Sequence, residues 1–318
     1  MKKAPRIVFI IFMFVIIIQS LTAQNIHDSN QKKSTRVVIN SHDSVMVNDA
    51  GLKEIKKSHF EGGISYLNND VYLGRKDSSV LPYFIPVLSY YHKSGLYFSV
   101  YLNYLKNSEE SRIDLITLEA GYTFNSGNYD GQINVSKFVY NSQSTNVASE
   151  IQATVGYQNG FDVGFIKPTL EINLNFGSKI DYLGSFGLQH SYFGLHNKLE
   201  FTPTFTINGG TQNYYDSYYK NKRYSNSAKQ KGQSGGTTVI GSVVNPSSFR
   251  ILDYEASVPF SYTINNLVIN FTPTYAVPLN PATININTKQ SNGSSSNKTE
   301  TENLSNSFYW SAGIVLHF

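Results

Sequence analysis

The residues best suited to chemistry in this chain are acids set at intervals along segments of alternating polarity. Glu119, Glu150, Glu171, Glu200, Asp253 and Glu255 occupy polar positions of such segments, and Lys167 and Lys198 share the pattern. Carboxylates gathered around a wet interior would form a constriction or binding ring that favours cations. Paired with lysines, they would instead fill that interior with salt bridges and close it. His92-Lys93-Ser94 brings a base and a hydroxyl two residues apart, the start of a nucleophilic pair with no convincing orienting partner further on. In 209–248, Tyr214, Tyr215, Tyr218, Tyr219 and Tyr224 stand among Lys220, Lys222, Arg223, Lys229 and Lys231. That surface suits anionic glycans or closure over a pore; the preferred reading is a solvated exterior loop whose cations meet an anionic surface. His190 and His317 stand singly and read as packing or interior polarity. No metal-ligand motif or phosphate-cradling glycine loop is legible, and no cofactor is implied.

Positioning these groups falls to strands. From His59 onward the chain becomes a succession of segments about ten residues long, punctuated by Gly, Asn, Asp and Ser. Leu96, Phe98, Val100 and Leu102 alternate with Tyr97, Ser99, Tyr101 and Asn103; Leu170, Ile172 and Leu174 alternate with Thr169, Glu171 and Asn173. Twelve segments begin near residues 59, 83, 95, 112, 129, 148, 162, 180, 196, 249, 267 and 306. If the first runs outward, the connections on the periplasmic side are Lys93-Ser94, Asn125 to Asn128, Asn159-Gly160, Gly194-Leu195 and Asn265-Asn266, all short. The opposite side takes every long connection: 67–82, 209–248 and 279–305. An even count with short turns at one end and long loops at the other marks a single-chain bacterial barrel. The expected fold class is all-β, a transmembrane antiparallel up-and-down barrel of about twelve strands over 59–318. Loop 279–305, rich in Ser, Asn and Thr, reads as flexible. Lys137 falls on an apolar face, which predicts a different register or a nearby bulge.

Composition agrees. Lys2, Lys3 and Arg6 precede the apolar run Ile7 to Ile18, and small and polar residues lead to Ala23. This is the pattern of a cleaved signal peptide over 1–23, too short to span as an anchoring helix. The formal charge of +4 less those three cations leaves about +1, no argument for a nucleic-acid partner. Cys is absent, so lipoprotein acylation, disulfides and thiolate metal sites are excluded. Beyond Ile18 no run is apolar for long enough to cross a membrane as a helix, which leaves strands. Residues 24–58 read as a mostly flexible periplasmic lead-in with a strand-like stretch at Val37-Val38-Ile39.

Alternation alone also fits a soluble sandwich, so the direction of the apolar face has to be argued. Aromatic residues sit near segment ends on that face, at Tyr66, Tyr104, Tyr122, Phe124, Tyr157, Tyr262 and Trp310, as interfacial girdles do. The other face is Thr, Ser, Asn, Gln and Gly with scattered charges, as a wet lumen requires. The chain ends on an alternating segment in which Ser311, Gly313, Leu316 and Phe318 are spaced as polar, glycine, apolar and terminal aromatic. That ending resembles the assembly signature of bacterial outer-membrane β-barrel proteins, and the texture of Tyr83 to Tyr104 and Leu252 to Pro278 is similar to Bacteroidetes-type barrels. The resemblance implies location in the outer membrane, contact with its lipid and lipopolysaccharide, and recognition by the barrel-assembly machinery. The His-x-Ser pair is similar to that of outer-membrane lipid hydrolases, but it falls in a short turn at the opposite rim. The functional expectation is a non-enzymatic passive channel or facilitator for a small hydrophilic solute. A non-conducting structural or adhesion barrel comes second and a lipid hydrolase third.

Overall fold

The computed structural model describes residues 35–38, 46–49, 57–107, 111–223, 238–290 and 293–318. The expected leader 1–23 lies outside the described residues, as does most of 24–58. Within the latter, β1 (Thr35–Val38) and β2 (Met46–Asp49) pair antiparallel.

The alternating segments form the wall of a closed barrel. Its first half is β3 (His59–Leu67), β4 (Tyr83–Tyr91), β5 (Leu96–Lys106), β6 (Ser111–Ser126), β7 (Tyr129–Tyr140) and β8 (Ala153–Phe161). Then come β9 (Lys167–Phe176), β10 (Ile180–Gln189) continued by β11 (Tyr192–Gly194), and β12 (Leu199–Phe201) continued by β13 (Thr204–Gly210). After β14 (Thr238–Val243), the wall resumes with β15 (Arg250–Ser257), continued by β16 (Phe260–Ile264), and β17 (Leu267–Pro278). A hairpin of β18 (Thr283–Lys289) and β19 (Ser295–Thr301) precedes the last strand, β20 (Ser307–His317). Neighbours pair antiparallel throughout, and β20 closes onto β3 with Ile314 opposite Ile64. The wall has twelve staves and no free edge.

Alternate side chains point to opposite faces. In β7, Ile133, Val135 and Val139 are exposed while Gln132, Asn134 and Ser136 are buried. The exposed apolar belt continues round the barrel through Ile64, Leu88, Leu118, Val155, Ile172, Phe186, Phe205, Ile269 and Ile314. Water would not tolerate so continuous a patch; hydrocarbon does, and closure satisfies every backbone group that lipid cannot. The apolar face therefore looks outward, and the chain is a closed transmembrane β-barrel. Aromatic rings collect at both rims. At the long-loop rim Tyr66 lies 5.0 Å from Phe84 and 5.5 Å from Trp310 between ring centroids. At the short-turn rim Phe124 lies between Tyr122 and Tyr129.

Several local expectations are corrected. The sixth stave begins at Ala153 rather than near 148, because Ile151 is buried inward in the preceding loop. The turn expected at Asn159-Gly160 lies at 162–166, where the Gly164 amide donates to Asp162 Oδ1 at 2.8 Å and Gly164 adopts φ 95°. Lys137 stays in an unbroken ladder between Leu118 and Ala153, with no bulge in β7 and its side chain exposed outward. Being three residues from the long-loop end of β7, its stem can carry the ammonium towards headgroups. Loop 279–305 carries the β18–β19 hairpin, which pairs with β14 in a separate three-stranded sheet. Pro203 and Pro259 break adjacent staves because proline brings no N–H to a ladder. The flanking Thr202 and Val258 amides still donate to the Pro259 and Pro273 carbonyls, at 2.9 and 3.1 Å.

Candidate functional site

The barrel interior has two unlike walls. On β4 to β7 small and aromatic polar residues lock together. Ser89 and Ser99 hydroxyls meet at 2.8 Å, Tyr97 donates to Glu119 at 2.8 Å, Ser136 donates to Glu119 at 2.9 Å, and Gln132 donates to the Tyr97 hydroxyl at 2.7 Å. Gly121 makes room for this layer, since a Cβ there would stand 2.5 Å from the Tyr97 ring and 2.6 Å from the Ile133 carbonyl. Glu119 is 2% exposed and its partners are neutral groups.

From β8 to β15 the interior is more accessible. Gln158, Thr169, Glu171, Ser185, Thr206 and Glu255 are half-buried; Gln158, Glu171 and Ser185 register across β8 to β10, and Thr169 and Thr206, both opposite Gly187, lead in the adjacent row to Glu255. The Asn173 amide donates to Glu171 at 2.6 Å and the Tyr309 hydroxyl to Glu255 at 3.2 Å. Nearer the short-turn rim Lys167 pairs with Asp130 at 2.5 Å, and the Thr202 hydroxyl donates to buried Glu200 at 3.3 Å. Asp253 and Leu252 are both fully buried, because the register shift between Asn208 and Gly209 inserts an extra residue in β15. Glu150 and Lys198 lie off the staves. Glu150 sits in the loop before β8, where it accepts from Asn221, and Lys198 is exposed in the turn before β12.

The long-loop end carries a cap, the reading of 209–248 that sequence alone placed behind a solvated loop. Tyr214, Tyr215, Tyr218 and Tyr219 are not a solvated surface: each is at most 4% exposed. They belong to a short helix, α1 (Asn213–Tyr218), and the π-turn after it (Tyr219–Arg223). Their rings pack with Tyr72, Val147, Ile151, Val243 and Ile284 from the loops, and with Leu115, Phe138, Leu183 and Leu252 from the inner ends of staves. Buried acids and the buried Arg75 guanidinium fasten this apolar cluster. Asp181 accepts from the Asn213 and Tyr214 amides at 2.6 and 2.7 Å and from the Thr211 hydroxyl at 2.6 Å, holding the start of α1 to the wall. Asp114 accepts from Tyr83 and Ser144 at 2.6 and 2.7 Å and pairs with Arg112 at 2.8 Å. Arg75, 2% exposed, donates to the carbonyls of Leu73, Leu279 and Asn280 and lies 3.6 Å from Glu302. Burial and the neighbouring Glu302 carboxylate raise the Tyr215 hydroxyl well above its ordinary pKa, so it stays a donor, at 2.5 Å to Glu302. Lys220 pairs with Asp216 and Lys222 reaches the Ser142 carbonyl; Tyr224, Lys229 and Lys231 lie outside the described residues. The signal was present in the Tyr spacing of one, four and five, which is helical. Arg75 gives no comparable signal.

His92 and Ser94 do meet, Nδ1 to Oγ at 2.8 Å, but in an exposed turn where the Ser94 amide also donates to Nδ1 at 3.2 Å. Among the described residues no carboxylate is hydrogen-bonded to His92. We expect His92→Ala to leave phospholipid unhydrolysed and unaltered, as for the parent barrel, when lipid incubated with each is resolved by thin-layer chromatography. In the last stave Ser311 is buried, Leu316 and Phe318 face outward, and Gly313 abuts β3, where a Cβ would lie 2.7 Å from that of Ser65.

No protein-family model and no curated protein sequence matches the chain. Among solved structures it is similar to a KdgM porin, at 10% identity over 82% of this chain and 99% of that one, with a TM-score of 0.40. A NanC porin superposes at 11% identity over 81% and 98%, with a TM-score of 0.41. An outer membrane channel from Pseudomonas putida does so at 9% identity over 86% and 100%, with a TM-score of 0.44. Superpositions this loose carry no argument about the solute or the mechanism of this chain.

Proposed function

We propose that this barrel is a gated passive channel for a small hydrophilic, preferentially cationic solute, with its long loops on the cell exterior. The observation that carries the reading is the contrast between an accessible polar strip, Gln158 to Glu255, and the tyrosine cap at one end of it. A twelve-stave wall is wider than the eight-stave kind whose interior side chains fill, and the strip supplies the polar lining a hydrated solute needs. Glu171 and Glu255 lie on it, where carboxylates attract cations. The cap is the gate.

Planar-bilayer recording tests this. The parent barrel should give rare, brief steps, and under a salt gradient the reversal potential of those steps should favour the cation. Glu171→Gln with Glu255→Gln should reduce that preference while leaving step frequency unchanged. A second reading, a non-conducting structural barrel, draws support from the dryness of the cap. Absence of any step from the parent and from a variant with a loosened cap would establish it instead.

A further inference from the structure

The first and last staves meet at the short-turn rim, and there three side chains with metal-binding atoms converge. His59 and Glu61 are two residues apart on β3, so the strand repeat places both on the inner face. His317, on β20, is the register partner of Glu61 across the seam. His59 Nε2 lies 3.2 Å and His317 Nδ1 2.9 Å from Glu61 Oε1, and one ligand atom from each residue falls within 4.8 Å of the others. Glu61 is buried and both imidazoles are half-buried. Tyr91 on the next stave stacks against His59 with ring centroids 5.1 Å apart.

The second ring nitrogen of His59 makes the arrangement informative. His59 Nδ1 lies 3.2 Å from the Lys57 carbonyl, which can only accept, so Nδ1 carries the proton. In a neutral imidazole Nε2 then presents a lone pair, and it faces a carboxylate oxygen. Two acceptors at that distance need a cation between them, either a second proton or a metal ion. A ring nitrogen donating to a backbone carbonyl is also the support that orients metal-bound histidines.

We propose that His59, Glu61 and His317 form a divalent transition-metal site, best suited to zinc, which ties the first stave of the barrel to the last. Two imidazoles and one carboxylate are a donor set that zinc takes, with the fourth position left to water from the lumen. Ligands about 2.0–2.1 Å from a tetrahedral ion stand about 3.3–3.4 Å from one another. The His59–Glu61 separation of 3.2 Å is already close to that value, the His317–Glu61 separation of 2.9 Å is a little shorter, and the two ring nitrogens lie within 4.8 Å of each other. Calcium and magnesium would need more oxygen donors than these residues supply. Binding displaces whatever protons the imidazoles lend to Glu61 and releases them to solvent. None of this depends on whether the lumen conducts.

Cobalt(II) is the probe, added near neutral pH to the purified full-length barrel in detergent. One ion per barrel should bind, with the visible absorption of a four- or five-coordinate site, and zinc should displace it. Zinc should also slow thermal unfolding of the parent barrel. His59→Gln with His317→Gln should abolish both effects, weakening binding by more than the roughly 10–100-fold that losing a supporting hydrogen bond costs a metal site. If that pair does not fold, Glu61→Gln serves, and should lose the cobalt spectrum. Failure of the parent to bind one ion saturably would overturn the proposal in favour of an imidazolium hydrogen-bonded latch. Unchanged binding in the variants would also overturn it, by placing the ion on other histidines.

Discussion

Asp181→Ala is expected to turn a nearly silent barrel into a conducting one. The Asp181 carboxylate receives three hydrogen bonds from the cap, two of them from the amides that open α1. Hydrogen bonds to a charged group each contribute about 1.5–3 kcal/mol. They are not additive, and the freed amides find water once the cap lifts. A net loss of about 3–4 kcal/mol raises the lifted population by roughly two to three decades. The apolar contacts of the four tyrosines remain, so the cap should open often rather than detach, and Asp181→Asn, which keeps one acceptor oxygen, should have a smaller effect. Single-channel recording on refolded protein checks both. If Asp181→Ala keeps the heat-modifiable migration of a folded barrel but conducts no more than the parent, the cap is not the gate.

The second large effect concerns the direction in which the staves face. Val135 is exposed near the middle of β7, so Val135→Arg places a charge on the lipid face. Such a change near the bilayer midplane costs about 2–4 kcal/mol, which lowers the ratio of folded to unfolded barrel by roughly 30- to 1,000-fold. Thr206→Lys, on the accessible inner wall opposite Glu255, should leave that ratio within a factor of a few while altering ion preference. Urea titration in phospholipid vesicles measures both equilibria. Equal stability of Val135→Arg and the parent would mean that Val135 does not meet hydrocarbon.

The architecture was legible because a strand's two faces are written in consecutive residues. Alternation such as Leu96 to Asn103 needs no partner to be recognised, and connection lengths supplied the parity of the staves. Errors fell where a local signal competed with a neighbour. Asn159-Gly160 is a strong hairpin dipeptide, yet the ladder runs on through Gly160 opposite Thr169 and turns where Asp162 caps Gly164. Glu150 alternated convincingly, but Ile151 beside it was drawn into the cap and took the segment out of the wall.

Residue type and period two sufficed, by themselves, to specify a membrane barrel of twelve staves, its outward apolar face and its aromatic rims. Those properties are local, since each position's preference for lipid or water does not depend on what lies across the barrel. Only the folded chain decided that a tyrosine-rich basic segment would bury its rings over the lumen on Asp181, and that His317 would land beside His59 and Glu61. Both depend on contacts that no periodicity announces, the first between a stave and the loop that follows its neighbour, the second made where the ring closes.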